Sequence, residues 1–319
     1  MWQRMAVSMA CVWGSLTVHA QEPVSWTAPP LCTSLLSQDS RLRFEVISGQ
    51  ISVRSVHWQT KRRETLQSED NDTTQSLSYL LGDRFLSLRY EAESATSRFV
   101  LEVPHCMDLS MEWTVTQEGT RTRVAYVQID QGVRLTVETP EGRQEFRHDS
   151  LWHLLFEQPE MSRTYLLPML QLCRESWAVE EQWDAIRSEL FTRADTLSLP
   201  TRGELQAWVS QLSSPRRQDR CAAMRRLQQV GQPLIAFLDT LETDQLDREQ
   251  RFYLKRLRTQ LDRPVLDTPA AVAARLVADP RIWTALTLDA DVQTRALAAQ
   301  QLARLTGHPA AAEDYASSK

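Results

Sequence analysis

From Arg41 the chain alternates apolar and polar residues, with Leu42, Phe44 and Val46 set against Arg43 and Glu45. Ser48-Gly49-Gln50 reads as a turn, and Ile51 to Thr60 as the return strand. The period of two recurs at Leu86, Leu88, Tyr90 and Ala92, at Phe99, Leu101 and Val103, and at Leu109, Met111, Trp113 and Val115. Glu118-Gly119-Thr120, Asp130-Gln131-Gly132 and Pro140-Glu141-Gly142 place turns between further strands that run to Arg147. Lys61 to Gln75 is polar and reads as a loop, with Glu69, Asp70 and Asp72 at its tip. About eight strands with short turns and no intervening helix predict a meander, because short turns join only antiparallel neighbours. Strict alternation gives such a sheet one packed face and one wet face. The expected object is a curved sheet, a sandwich or an open barrel, its second layer coming from the sheet itself or from the helices that follow.

From Asp149 the period lengthens to about 3.6 residues. Leu166, Met169, Leu170 and Cys173 share one helical face, interrupted by Pro168, which kinks or starts that helix. Val179, Trp183, Ile186 and Leu190 form the next face. Thr201-Arg202-Gly203-Glu204 is a capping-box pattern before Leu205, Trp208, Val209 and Leu212. Ser214-Pro215, Thr268-Pro269 and Asp279-Pro280 each set a capping residue before a proline, and Gly231 and Gly307 sit where helices end. Further helices are expected over 233–242, 247–262, 269–278, 280–287 and 291–305. The predicted class is therefore α+β: an antiparallel β domain over 41–148, an α-helical array over 149–307 and a disordered tail over 308–319.

The N-terminus changes the picture. A basic residue at Arg4, an apolar run from Met5 to Val18 and Ala20 before Gln21 read as an export signal over 1–20, followed by a linker over 21–40. This predicts a periplasmic or extracellular destination. No later segment reaches about 18 apolar residues, so no transmembrane span is expected after signal removal. Cys32, Cys106, Cys173 and Cys221 lie beyond the signal. In an oxidising compartment they are disulfide candidates, paired Cys32–Cys106 and Cys173–Cys221, or else four buried thiols. Of the 319 residues 36 are Lys or Arg and 41 Asp or Glu, a formal net charge of −5 that argues against nucleic-acid binding.

A weak internal repeat joins Arg220, Ala223 and Leu227 to Arg295, Ala298 and Leu302 in the pattern R-x-x-A-x-x-x-L. The alanine admits a neighbouring helix, the leucine fills the groove, and the arginine is expected to pair with an acid on a neighbouring turn. Over roughly residues 200–307 this resembles HEAT-like α-helical repeats, in which helix pairs stack into a solenoid. The order of parts (export signal, β-rich region, Leu151-Trp152-His153-Leu154-Leu155, then helical hairpins) resembles exported bacterial proteins of unknown function. The resemblance implies a binding scaffold with an extended helical groove.

No G-x-S-x-G elbow, P-loop, G-x-G-x-x-G or Cys-x-x-Cys occurs, so no catalytic residues, metal ligands or cofactor are assigned. His148 and His153, with Asp149 and Glu157, straddle the strand–helix junction; Asp149 or Ser150 is expected to cap that helix, with His153 half-buried. The clearest surface feature is basic. Arg248, Arg251, Lys255 and Arg258 recur along one face of the helix over 247–262, beside an apolar face of Tyr253, Leu254, Leu257 and Leu261. Arg216, Arg217 and Arg220 crowd another helix, and residues 216–263 hold 11 basic against 7 acidic residues. These seven cations are the expected binding residues of a non-catalytic scaffold for a protein or acidic envelope component. Two alternatives use the β domain: carbohydrate binding or hydrolysis, with Trp58 as a stacking platform, and lipid handling in a cavity lined by Leu86, Leu88, Val124 and Tyr126.

Overall fold

Ser48 and Gly49 hold positive φ angles of 52° and 80°. Such a turn matches the right-handed twist of a hairpin, and it joins β1 (Leu42–Ile47) to β2 (Gln50–Ser55). Eight further strands follow in a second sheet: β3 (Arg62–Asp70), β4 (Thr73–Leu81), β5 (Leu86–Glu93), β6 (Ser97–His105), β7 (Asp108–Gln117), β8 (Thr120–Ile129), β9 (Gly132–Thr139) and β10 (Gly142–His148). Their spatial order is their sequence order, and every pair is antiparallel. The computed structural model describes residues 35–38, 42–55, 62–70, 73–81, 86–105, 108–129, 132–174, 177–196, 200–241, 245–261 and 266–306. The signal, most of the linker, the C-terminal tail, Trp58, Cys32 and Cys106 lie outside them.

One correction concerns Lys61–Gln75. Most of the expected loop is strand, for β3 and β4 pair as a hairpin from Arg62↔Leu81 to Asp70↔Thr73. Its polar sequence hid the strand because the pairing is fixed by β5, which aligns Leu77 with Tyr90.

Register carries one apolar row across six strands: Leu77, Tyr90, Leu101, Met111, Tyr126 and Leu135 are successive partners. None is more than 1% exposed. The hairpin and the helices supply the second layer. Gln128 on β8 clamps β2, its Oε1 accepting from the Ile51 N–H at 2.7 Å and its Nε2 donating to the Ile51 carbonyl at 2.8 Å. Cys173 Sγ lies 3.4 Å from Met111 Sδ, and the Trp177 ring lies 6.0 Å from that of Phe44. The four residues named for a lipid cavity, Leu86, Leu88, Val124 and Tyr126, are packed in this core.

The helices are α1 (Leu35–Gln38), α2 (Leu151–Glu157), α3 (Pro159–Met161), α4 (Leu167–Cys173), α5 (Val179–Thr196), α6 (Arg202–Gln211), α7 (Arg217–Val230), α8 (Leu234–Asp239), α9 (Arg248–Leu261), α10 (Pro269–Leu276), α11 (Pro280–Leu286) and α12 (Val292–Thr306). Pro168 falls in the first turn of α4, just after a π-turn over Ser162–Leu166. A proline has no N–H for the preceding turn, which accommodates a wider local winding. Thr201 closes its capping box with Glu204, and Thr268 and Asp279 cap α10 and α11. The proline of Ser214-Pro215 does not begin α7, whose first residue is Arg217; Ser214 Oγ instead accepts from the Arg216 N–H and donates to Asp219. Helices α6 to α9 share their own apolar cluster, centred on Leu212, Ala223, Leu227, Leu234 and Leu257. No described helix is long and apolar enough to cross a membrane.

The repeat has a structural basis other than the one expected. Arg220 Nη1 donates to the carbonyls of Ser214 (2.7 Å) and Pro215 (3.3 Å). Arg295 Nη1 donates to those of Asp289 (2.7 Å) and Ala290 (2.9 Å), at the same offsets of six and five residues. Each arginine thus fastens the turn before its own helix by satisfying carbonyls left open beyond the preceding helix end, where a cation is also favoured. The acid partner expected from sequence is replaced by backbone.

Candidate functional site

The sheet passes to the helices at Ser150, and two buried polar networks meet there. The first is centred on Asp267, whose side chain is 1% exposed. Its Oδ2 accepts from the Gly49 N–H and from Trp152 Nε1, each at 2.6 Å, and Arg275 Nη2 lies 3.3 Å away. The Asp267 N–H donates to the Val46 carbonyl at 2.9 Å, and Gln182 Nε2 donates to the Asp267 carbonyl at 2.6 Å. One residue therefore ties the β1–β2 turn to α2, α5 and α10.

The second network runs Ser150–His153–Asp279. Ser150 Oγ lies 2.7 Å from His153 Nδ1, and His153 Nε2 lies 3.0 Å from Asp279 Oδ2. A carboxylate only accepts, so Nε2 carries the proton, and in the neutral ring Nδ1 accepts from the serine hydroxyl. Arg281 Nη2 closes the group against Asp279 at 3.0 Å and Asp149 at 2.7 Å. Burial opposes the Asp279 charge, but hydrogen bonds from His153 and Arg281 and the guanidinium charge outweigh it. They hold the carboxyl far below the usual carboxylate range.

Serine, histidine and aspartate in hydrogen-bonded series suggest a nucleophile, its base and an orienting acid. The surroundings contradict that use. Ser150 Oγ caps α2 by accepting the His153 N–H, while Asp279 caps α11. A Cβ added to Gly49 would stand 2.4 Å from Ser150 Cβ and 2.9 Å from its Oγ, so the hairpin turn occupies the space a substrate needs. The series is a strut between two helix starts. The expected cap at Ser150 is present, but His153 is buried rather than half-buried. On the far side of the junction His148 Nδ1 lies 3.5 Å from Glu157 Oε1, an oxygen that is buried without a hydrogen bond. Among the described residues no three His, Cys, Asp or Glu side chains gather as a metal site.

The seven cations singled out in the sequence fall into two sets. Arg258 pairs with Asp239 at 2.7 Å, and Arg220 is occupied by the carbonyls before α7. Arg216, Arg217, Arg248, Arg251 and Lys255 are exposed, and among the described residues none forms an ion pair. Gln250 Nε2 reaches the Val209 carbonyl and Ser213, and Gln228 Nε2 reaches Gln260 Oε1. Helices α7 and α9 therefore run the same way, and their basic N-terminal ends, with Arg216 and Arg217 and with Arg248 and Arg251, lie at the same end. The sequence reading missed Phe252. It is 62% exposed, on the side of α9 opposite the buried Leu254 and Leu257, with Arg248, Lys255 and Arg256 at helical neighbour spacing. An aromatic out of phase with the apolar face was the available signal.

Cys173 and Cys221 are free, so the pairing considered for them is not made. Cys173 is buried against the sheet, where desolvation pushes its thiol pKa up, and Cys221 is exposed on α7. On the outer face of the sheet the ionic side chains pair with one another: Arg89 with Glu102, Arg98 with Glu91, and Arg123 with Glu112 and Glu138. Trp113 is 1% exposed and supplies no stacking platform for a sugar. An apolar cleft, open to solvent, lies among Leu205 of α6, Val230 of α7, Phe237 of α8 and Leu305 of α12.

No protein-family model, curated protein or solved structure matches the chain.

Proposed function

We propose that the protein is an exported, non-catalytic interaction module that docks an anionic protein or other acidic envelope component on its helical surface, centred on α9. The observation that carries this reading is that Arg248, Arg251 and Lys255 of α9 are exposed and form no ion pair among the described residues, beside the exposed Phe252. A cation left in water keeps its hydration and acts at range on an approaching polyanion, whereas a paired one does neither. Phe252 adds an apolar contact that a purely solvated face has no use for. The N-terminal pattern supports export, and the paired helices with the R-x-x-A-x-x-x-L repeat support a HEAT-like scaffold.

The test uses the full chain without its N-terminal 20 residues, immobilised poly-L-glutamate, and vesicles with or without phosphatidylglycerol. Binding to one of the two anionic probes, lost in Arg248→Glu/Arg251→Glu/Lys255→Glu at unchanged thermal stability, is the expected result. The two probes separate an acidic-protein partner from a lipid one. Absence of binding to both, or equal binding by the triple variant, overturns the reading.

A further inference from the structure

The edge of the eight-stranded sheet opposite β10 is β3, which among the described residues pairs with β4 alone. The outward N–H and C=O groups of an edge strand are a template for another strand, and folds commonly blunt them with a proline, a bulge or a very short strand. β3 carries none of these. It runs nine residues without proline, in unbroken register from Arg62↔Leu81 to Asp70↔Thr73. The apolar row of the sheet also runs out here. Leu66 is the partner of Leu77 and so stands next in the series that starts at Leu135. Leu77 is fully buried, whereas Leu66 is half-buried, with no strand beyond it among the described residues.

The sequence of β3, Arg62-Arg63-Glu64-Thr65-Leu66-Gln67-Ser68-Glu69-Asp70, is basic at one end and acidic at the other. We infer that β3 pairs antiparallel with β3 of a second copy of this chain, about a twofold axis at Leu66. In a regular antiparallel pair, residues facing the free edge meet residues that face it too, so the axis passes through a residue and not between two. Leu66 is the one centre that pairs all nine positions. It sets Arg62 against the partner's Asp70 and Arg63 against the partner's Glu69, each twice by symmetry. Glu64 then meets the partner's Ser68 and Thr65 the partner's Gln67, so no like charges are opposed. Leu66 meets its own copy, and the apolar row continues across the axis. An axis at Gln67 would oppose Glu64 and Asp70, and one at Thr65 would set Glu64 against Leu66. A parallel copy in register would set arginine on arginine and acid on acid. Open-ended stacking is therefore opposed, and the pairing closes at two.

Sedimentation equilibrium of the chain without its N-terminal 20 residues tests this, with two charge variants of the edge, Arg62→Glu/Arg63→Glu and Glu69→Arg/Asp70→Arg. The wild type is expected to be a dimer that dissociates on dilution. Each variant alone opposes like charges across the axis and is expected to dimerise roughly a hundredfold more weakly. Mixed one to one, the two variants restore every opposed pair with the signs exchanged. The mixture is expected to dimerise within about tenfold of the wild type. Mixing does not rescue a folding defect, so recovery in the mixture separates lost pairing from lost structure. A wild type that stays monomeric at about 100 μM, variants that dimerise as the wild type does, or a mixture as monomeric as its components overturns the assignment. So does a monomer whose β3 amides are all protected from hydrogen exchange, which would give the edge to another segment of this chain. The triple α9 variant is expected to dimerise as the wild type does, so this edge and the α9 surface stand or fall separately.

Discussion

The outer face of the sheet and the outer face of α9 are both dense in charge and handle it in opposite ways. On the sheet, register places acid beside base: Arg89 stands opposite Glu102, Arg123 opposite Glu138, and Arg143 opposite Glu138 from the other side. The strands thereby neutralise their own charge locally. On α9 the cations Arg248, Arg251 and Lys255 follow one another along the helix, and Glu249 lies off their row. A neighbouring helix closes one end of the row, where Arg258 pairs with Asp239 at 2.7 Å, while Arg248, Arg251 and Lys255 form no ion pair among the described residues. Charge count alone does not tell a binding face from an inert one; pairing does.

The sharpest way to test the value of pairing is to break it where water is absent. Asp267 is the most enclosed ion in the described structure with its partners on several elements. Removing one member of a buried charged network leaves the others unsatisfied, at about 3–5 kcal/mol. Asp267→Ala is expected to destabilise by that amount in chemical denaturation, and a loss under about 1 kcal/mol would show that the junction is held by apolar packing alone. The α9 row predicts the reverse pattern. Its triple reversal is expected to leave stability within about 0.5 kcal/mol and to weaken anionic binding by roughly a hundredfold, about 1 kcal/mol per charge. Raising salt from low to physiological strength is expected to weaken wild-type binding in the same direction, because exposed charges are screened beyond about 8–10 Å.

Asp279 places the comparison on a pH axis. Its folded carboxyl is held below the unfolded value of about 3.9, so its stabilisation is full above that pH and is lost as pH falls further. Asp279→Asn is expected to be less stable than wild type at pH 7, by on the order of 2 kcal/mol, and the gap is expected to narrow below about pH 4. A gap that is constant from pH 7 to pH 3 would mean that packing or capping, not the ion, accounts for the difference. The measurement is thermal unfolding across that range.

How far these networks were legible depends on their reach along the chain. Capping is local, so Thr201 with Glu204, Thr268 and Asp279 announced their helices correctly. The meander was legible from alternation at Leu86–Ala92 and Leu109–Val115. β3 was not, because its face is set by partners rather than by its own polar sequence. The Gly49–Asp267 bond spans 218 residues and His153–Asp279 spans 126, and no local pattern records such meetings. The basic residues were visible as letters, but only packing separates Arg220, turned onto backbone, from Arg251, left open. Phe252 shows the converse: its exposure follows from phase, yet it sits beside Tyr253 in sequence and is easily absorbed into the apolar face.

The smallest effect is the one that tests the sheet's side of the comparison. Arg123 bridges Glu112 at 2.7 Å and Glu138 at 3.3 Å while remaining about two-fifths exposed. Its hydrogen bond holds the Glu112 carboxyl below the usual range, against some desolvation. Water and salt screen such pairs, and they contribute about 0.2–1 kcal/mol. Arg123→Ala is therefore expected to cost less than about 1 kcal/mol in low salt, and less again in high salt. Glu112 then loses its ion pair while Glu138 keeps Arg143 at 3.7 Å, and polyanion binding through α9 is expected to stay unchanged. Chemical denaturation at two salt concentrations, with poly-L-glutamate binding measured alongside, checks both halves. A fall in polyanion binding would move the docking surface onto the sheet, because the only cation removed is one that the fold already neutralises.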